Sequence, residues 1–144
     1  VVNVTEVVNW HKAGGMLGCM WQWNMPANNG SDWTCTPGTG DNQTSFDVKK
    51  IFEPESDEYK QMMRDIDKVA STLKKLKQRK IPVLWRPLHE AGRRWFWWGL
   101  DADACNELWR VMYDRLTNLF THLKAKIKLW ELQSSLPEKL RTNP

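Results

Sequence analysis

Apolar residues between Asp57 and Arg79 recur at steps of three and four, which is the spacing of one face of an α-helix. Ser56 precedes the segment, and serine is a preferred N-cap because its hydroxyl accepts a hydrogen bond from the first turn. The pattern therefore predicts a long amphipathic helix with one buried face. Its apolar positions are Tyr59, Met62, Met63, Ile66, Val69, Ala70, Leu73 and Leu76.

Two more segments have helical spacing. Residues 5–13 are typical of the last turns of a helix that ends at Gly14 and Gly15, and we expect this helix to begin upstream of Val1. A further helix begins after Asp101 or Asp103, either of which can cap it. The apolar face of that helix is Cys105, Leu108, Trp109, Met112, Leu116, Leu119 and Phe120.

Short apolar runs alternate with these helices. Residues 16–21, 81–86 and 127–130 are predicted strands, and a long loop rich in glycine, asparagine and proline covers residues 24–54. Strands that alternate with long helices favour βαβ units with parallel strands. The predicted fold is therefore α/β, with about three βα units.

The composition limits the class of protein but does not change the predicted fold. The chain has 144 residues, of which 41% are apolar and 26% charged, as in a single globular domain. No apolar run approaches the about 20 residues of a membrane helix, and the first residue, Val1, suggests a longer parent chain. The net charge of +4 comes mostly from residues 74–80 and 124–128, at predicted helix ends, so nucleic acid is disfavoured as a partner. The three cysteines (Cys19, Cys35 and Cys105) fit no metal site, and no cofactor is expected.

The candidate chemistry follows two predicted strands. His89 and Glu90 come after one strand, and Trp21 and Gln22 end the other, so both pairs are expected at one rim of the sheet. Glycoside hydrolysis needs a carboxylic acid that donates a proton to the departing oxygen. Glu90 suits that role because Trp95 and its neighbours would provide apolar walls.

Ordinary structural roles compete with this interpretation. A glutamate at a strand end is commonly a surface group or an arginine partner, and an indole is by default a core side chain. We expect Trp85 and Trp109 in the core, and Trp95 and Trp97, which lie in a loop, in contact with a ligand. His11 and His122 are expected to have surface or helix-end roles.

The segment WRPLHEAGRRWFWWG (residues 85–99) resembles the acid/base segment of glycoside hydrolase family 26, whose best-known members are retaining endo-β-1,4-mannanases on a (β/α)8 barrel. The upstream segments WHK, MWQWNMP and DIDKVA and the later LWRVMYDRLTN resemble the family in the same order. The resemblance covers residues 1–122. It implies that residues 1–144 are a single partial catalytic domain, a partial TIM barrel with a divergent tail over 121–144.

The resemblance also implies roles for individual residues. Glu90 matches the general acid/base, His89 the neighbouring active-site histidine, and Trp95 the tryptophan that lines the site of the cleaved sugar. Gln22 stands where the family usually has a histidine in Trp-His-x-Asn, and Trp33 is a candidate second sugar platform. The implied substrate is β-mannan or a related β-linked polysaccharide, and the implied location is extracellular.

A (β/α)8 barrel takes about 250 residues, and the family's nucleophilic glutamate follows the seventh strand, beyond this chain. Glu131 is the one nearby carboxylate in a comparable place, with a poor match. The chain alone is therefore expected to have little or no catalytic activity.

The alternatives are a glycan-binding fragment that uses Trp21, Trp23, Trp95 and Trp97, and self-association through open strand edges. Mannan, mixed-linkage glucan and xylan are not distinguished.

Overall fold

This computed structural model describes residues 3–121, with side chains described as far as Asn118. The predicted strand over 127–130, Glu131, His122, the tail and the side chains of Leu119 and Phe120 lie outside the described part. The elements are α1 (Val4–Lys12), β1 (Leu17–Met20), β2 (Met25–Pro26), β3 (Trp33–Thr34), α2 (Asp57–Gln78), β4 (Val83–Arg86) and α3 (Ala102–Thr121). Short 3-10 turns cover Lys50–Phe52, Ala91–Arg93 and Trp97–Gly99.

The predicted parallel pairing is confirmed for β1 and β4. Leu17 lies opposite Val83 and Met20 opposite Arg86, and the chain between the two strands includes α2. This order, strand, helix, parallel strand, is the βαβ unit expected from the alternating pattern. Both strands are slightly shorter than the apolar runs that predicted them.

The two long helices begin where the sequence predicts. The Ser56 hydroxyl accepts a hydrogen bond from the Tyr59 N–H at 3.0 Å, and the Asp101 carboxylate accepts one from the Ala104 N–H at 2.9 Å. Between them, the Arg115 guanidinium on α3 forms two 3.0 Å hydrogen bonds with the Asp67 carboxylate on α2. The buried faces of both helices contribute to one core with Trp85, while Trp109 is half-buried against it.

The first helix begins later than expected. The Asn3 side chain accepts hydrogen bonds from the backbone N–H groups of Thr5 and Glu6, which caps α1 at Val4. The predicted glycine end is confirmed: Gly14 has a φ of +88°, and the Gly15 N–H donates to the Trp10 carbonyl. No side chain of α1 is buried in the described part of the chain.

The predicted long loop contains a short antiparallel pair that the sequence pattern missed. Met25 pairs with Thr34 and Pro26 with Trp33. Asn28 then holds the following turns, because its Nδ2 donates to the carbonyls of Gly38 and Gly40 and its Oδ1 accepts from the Ser45 N–H. A single amide side chain thus supplies hydrogen bonds that a regular element would otherwise provide.

The β1–β4 sheet is covered on one face. Cys19, Val83 and Trp85 pack against the core. The other face carries Met20, which is 64% exposed, and Arg86, which is also exposed. Parallel sheets are normally covered on both faces, so the described residues form an incomplete sheet.

The three cysteines are free, and no helix within residues 3–121 is long and apolar enough to cross a membrane.

We expect Asp101→Ala to lower the free energy of unfolding by about 1 kcal/mol, because α3 loses its N-cap. Asp101→Asn is the control, since its amide oxygen can still accept from the Ala104 N–H. The Ala104 N–H and then Lys49 lower the pKa of Asp101 below 3.8. The advantage of wild type over Asp101→Asn should therefore be present above pH 3.8 and disappear as the pH falls through the folded-state pKa. Urea denaturation over that pH range measures both differences, and equal stability of all three proteins at neutral pH would contradict the capping role.

Candidate active site

The candidate site lies at the carboxyl end of the parallel pair. Because Met20 is opposite Arg86, the residues that follow the two strands leave the sheet at the same edge. Trp21 and Gln22 leave β1 there, and the segment from Pro87 to Gly99 leaves β4. Side chains at this edge of parallel α/β sheets commonly bind ligands.

Glu90 occupies an unusual backbone conformation for a residue with a side chain. Its φ is +55°, in the left-handed region, and Arg94 follows at φ +62°. The two residues flank the Ala91–Arg93 turn, in which the Arg93 N–H donates to the Glu90 carbonyl. Left-handed non-glycine residues are uncommon and occur often at functional sites. The half-buried Glu90 carboxylate does not cap this turn and is left for another role.

His89 is buried between aromatic rings. It is 8% exposed, with the ring centroids of Phe96 and Trp98 at 4.9 and 5.5 Å from its own. Burial lowers the pKa of His89 below 6.5, the negative charge of Glu90 raises it, and Arg86 lowers it further. Imidazole is therefore favoured over imidazolium at neutral pH.

Two buried nitrogen atoms of this segment have no hydrogen-bond partner among the described residues. They are Nδ1 of His89 and Nε1 of Trp85. Buried polar groups are nearly always hydrogen-bonded in complete structures. We therefore expect Nδ1 of His89 to be hydrogen-bonded in the full environment of the site, to water, to further chain or to a ligand.

Burial separates the four consecutive aromatic residues into two groups. Trp95 is 51% exposed, and the guanidinium carbon of Arg93 lies 5.7 Å from the centre of its ring. Trp97 and Trp98 are fully buried, with Trp97 Nε1 donating to the Trp23 carbonyl at 2.7 Å and Trp98 Nε1 to the His89 carbonyl at 3.1 Å. The ligand contact expected of Trp97 is therefore corrected: its indole is part of the core, and additional chain cannot expose it.

The end of β1 also alternates between surface and core. Trp21 is half-buried and stacks on the buried Trp23, with ring centroids 3.9 Å apart and planes 13° from parallel. Gln22 is exposed, and its Nε2 donates to Cys35 Sγ. Trp33, 57% exposed, lies in the β2–β3 pair. The side chains of Trp21, Gln22 and Trp33 are thus accessible to a ligand, whereas that of Trp23 is not.

Sequence reasoning missed two residues that hold these segments together. Asp65 is buried on α2 and accepts a hydrogen bond from Trp23 Nε1 at 3.1 Å. Cys35 is buried as well, and its carbonyl accepts from the Trp97 N–H. A signal for Asp65 was present, since a carboxylate beside Met62, Ile66 and Val69 interrupts the apolar stripe of the helix. Nothing in the loop pattern distinguishes Cys35.

The described residues contain no group of three or more histidine, cysteine, aspartate and glutamate side chains that could hold a metal ion. At the carboxyl edge of the sheet the described residues place a carboxylate, a neutral imidazole and exposed indole faces. A carboxyl group with aromatic planes beside it suits proton transfer to a sugar oxygen.

The model of a family described as glycosyl hydrolase family 26 matches residues 1–144. A mannan endo-1,4-beta-mannosidase of Thermothelomyces thermophilus is 35% identical over 140 residues, covering 94% of this chain and 28% of the relative. Mannan endo-1,4-beta-mannosidase A of a Piromyces species is 34% identical over 132 residues, covering 89% and 21%. The chain thus spans about a fifth to a quarter of these relatives.

Solved structures resemble the fold as well. The Podospora anserina GH26-CBM35 beta-(1,4)-mannanase is 36% identical with a TM-score of 0.66, over 79% of this chain and 27% of that one. A beta-mannanase from a symbiotic protist of the termite Reticulitermes speratus, solved with a gluco-manno-oligosaccharide, is 34% identical with a TM-score of 0.68, over 81% and 37%.

We expect the imidazole of His89 to titrate with a midpoint below 6.5, as followed by nitrogen NMR of the ring. Glu90→Gln should lower the midpoint further, because the carboxylate charge that favours the imidazolium is removed. Glu107→Gln, which changes an exposed carboxylate on α3, serves as the control and should leave the midpoint unchanged. A midpoint at or above 6.5 would show that burial does not outweigh the charge of Glu90 as described.

Gly99→Ala should disrupt the packing of the segment that follows β4. A Cβ at this position would lie 2.5 Å from the Ala91 carbonyl oxygen, a backbone atom that cannot rotate away. We expect a loss of about 1–3 kcal/mol in the free energy of unfolding, the usual range for overpacking. Gly18→Ala is the control, because a Cβ there meets nothing within 4 Å. Equal denaturation midpoints for the two variants would contradict the close approach.

Proposed function

Because the chain belongs to glycosyl hydrolase family 26, we propose that it is the acid/base part of a retaining catalytic domain that cleaves β-1,4-linked mannan. The observation that carries the proposal is the arrangement that follows β4. There Glu90 has a left-handed backbone, His89 is buried beside it, and Trp95 is half exposed. A proton donor, its neutral neighbour and a flat apolar surface thus belong to one short segment.

In the first step Glu90 acts as the general acid: it protonates the glycosidic oxygen while a nucleophilic carboxylate attacks the anomeric carbon, so that the glycosidic bond breaks and a glycosyl-enzyme intermediate forms. In the second step the ionised Glu90 takes a proton from the water that attacks the anomeric carbon, and the bond to the nucleophile breaks. A retaining mechanism also needs a nucleophilic carboxylate about 5 Å from the acid/base. We propose that a further part of the domain supplies it, since the chain spans only 21% and 28% of two curated relatives.

We propose a partial (β/α)8 barrel as the fold that holds these residues. β1 with α2 and β4 with α3 would be two successive βα units, and the predicted strand over 127–130 would begin a third. The sheet face with Met20 and Arg86 exposed would face the interior of the barrel, where additional strands would cover it. The TM-scores of 0.66 and 0.68 with family 26 mannanases support this fold.

Trp95 would contact the sugar at the cleaved bond, because an indole face packs well against the C–H groups of a pyranose ring. Trp21 and Gln22 would contact the substrate from the β1 side, the amide of Gln22 by hydrogen bonds to hydroxyl groups. His89 would use a ring nitrogen in the same way. Trp33 would be a more distant platform.

The proposed substrate class is β-mannan and related β-linked glucomannan, supported by the gluco-manno-oligosaccharide in the protist mannanase. A polysaccharide does not cross a membrane, so we also propose an extracellular location.

In isolation, the open sheet face that carries Met20 would favour self-association of the chain. Light scattering would detect this as an increase in particle size with protein concentration.

Glycan binding without hydrolysis is the second candidate function. It is favoured by Trp33 and Trp95, which are 57% and 51% exposed, on a chain that spans a small part of its relatives. Calorimetry with mannohexaose distinguishes it: binding that survives Glu90→Gln, with no product released by either protein, supports binding alone.

We expect Glu90→Gln to reduce mannan hydrolysis by about 10²–10⁴-fold, the usual contribution of general acid–base catalysis. The assay uses a chimaera in which residues 1–121 replace the matching segment of the Thermothelomyces thermophilus mannanase, which supplies the remaining domain. Reducing-sugar release from soluble β-mannan is measured for wild type, Glu90→Gln and the control Glu107→Gln. The loss in kcat/KM should be smaller with a dinitrophenyl β-mannoside, because a good leaving group needs little protonation in the first step.

An active chimaera that is unaffected by Glu90→Gln on mannan would overturn the role of Glu90. A loss of equal size in Glu107→Gln would show a general effect on folding instead.

A further inference from the structure

Asp65 is the only aspartate or glutamate that is buried in the described part of the chain, and its carboxylate accepts three hydrogen bonds from side chains. It is 8% exposed on α2 and accepts from Trp23 Nε1 at 3.1 Å and from Gln61 Nε2 at 2.9 Å, both through Oδ2. Its other oxygen accepts from Lys68 Nζ at 3.3 Å. All three donors make charge-assisted hydrogen bonds, which are stronger than neutral ones.

Trp23, the aromatic partner of Asp65, lies where the segment after β1 meets the segment after β4. The Trp23 ring is 1% exposed and stacks on Trp21, the indole that we place against the substrate. The Trp23 carbonyl accepts from Trp97 Nε1, and the two rings meet edge to face with centroids 5.0 Å apart. One indole therefore connects α2 to the end of β1 and to the segment after Glu90.

We propose that Asp65 is a positioning residue for the active site, acting through Trp23 on Trp21 and on the acid/base segment. Its carboxylate holds the indole N–H of Trp23 and so sets the plane of that ring. The plane of the Trp23 ring in turn sets the orientation of the Trp21 ring that stacks on it. It also sets the position of Trp97, which holds the segment that contains Glu90. The catalytic part of the inference rests on the proposed function, whereas the ring geometry does not.

An acceptor at position 65 is needed because the Trp23 N–H is remote from solvent. A buried donor without an acceptor is costly, so the ring would turn to reach water or another oxygen. Such a turn would break the near-parallel stack with Trp21, whose planes are 13° apart. Small displacements of this kind matter, since misplacement by about 1 Å can cost 10²-fold in rate.

Three substitutions separate positioning from general stability. Asp65→Leu removes the acceptor, Asp65→Asn keeps an oxygen that can accept from Trp23 Nε1, and Asp67→Asn is the matched control. Asp67 lies two residues along the same helix, is exposed, and bonds Arg115 instead of the aromatic residues. Trp23→Phe removes the same hydrogen bond from the other side. Because it also removes the indole, it replaces Asp65→Leu in the kinetic measurement alone if that variant does not fold.

The first measurement is the far-ultraviolet circular dichroism of the 144-residue chain, in which neighbouring indoles give exciton couplets. The difference from Trp21→Phe isolates the contribution of Trp21, which is dominated by its stack on Trp23. We expect the couplet of Trp21 and Trp23 to disappear in Asp65→Leu and to remain in Asp65→Asn and Asp67→Asn. The second measurement is kcat and KM of the chimaera on β-mannan. Asp65→Leu and Trp23→Phe should each lower kcat/KM by about 10–100-fold, with kcat reduced as well as KM raised, and Asp65→Asn should restore most of it.

A folded Asp65→Leu that keeps the couplet overturns the inference, and so does a lost couplet with unchanged kcat/KM. So does a loss in Asp67→Asn equal to that in Asp65→Leu, because a helix-wide effect would then explain both. A wild-type chimaera without activity is a different outcome: it refutes the proposed function, and the couplet then decides the structural part alone.

Discussion

The parallel pairing of β1 with β4 is the constraint on which the remaining arrangement depends. It joins residues 66 positions apart in the chain, Met20 and Arg86, so that the segments leaving the two strands begin side by side. Once this register is set, a shift by two residues would carry His89 and Glu90 away from Trp21 by the length of about one side chain. α2 lies between the two strands in the sequence. It allows the parallel pairing because it returns the chain to the end of the sheet at which β4 begins.

Much of this architecture could be predicted from the sequence because it depends on local chemistry. The caps of α2 and α3 follow from Ser56 and Asp101, and the end of α1 from Gly14 and Gly15, without reference to distant residues. The position of Glu90 after a strand follows in the same way from an apolar run that ends at a charged residue and a proline. The family resemblance of this segment agrees with the match to the family model.

Features that depend on distant partners could not be predicted. Whether Trp95 or Trp97 faces outward is decided by the Trp23 carbonyl and the Cys35 carbonyl, which are far away in sequence and which only Trp97 reaches. Alternation along a loop carries no such information. The β2–β3 pair was missed for a related reason, since two residues per strand leave no periodicity to detect. The start of α1 was misplaced because the asparagine cap, Asn3, lies so close to the first residue that the preceding pattern is too short to interpret.

The first helix has a consequence for how the molecule opens. Because α1 buries no side chain within the described residues, it is held by its caps, by its own backbone hydrogen bonds and by the hydrogen bond from Trp10 Nε1 to the Met16 carbonyl. The amide protons of α1 should then exchange with solvent through local fraying, at rates far above those of the stretch of α2 that includes Met62, Ile66 and Leu73. The described residues would thus behave as two cooperative units, a slowly exchanging core around α2, β4 and α3 and a rapidly exchanging amino-terminal helix.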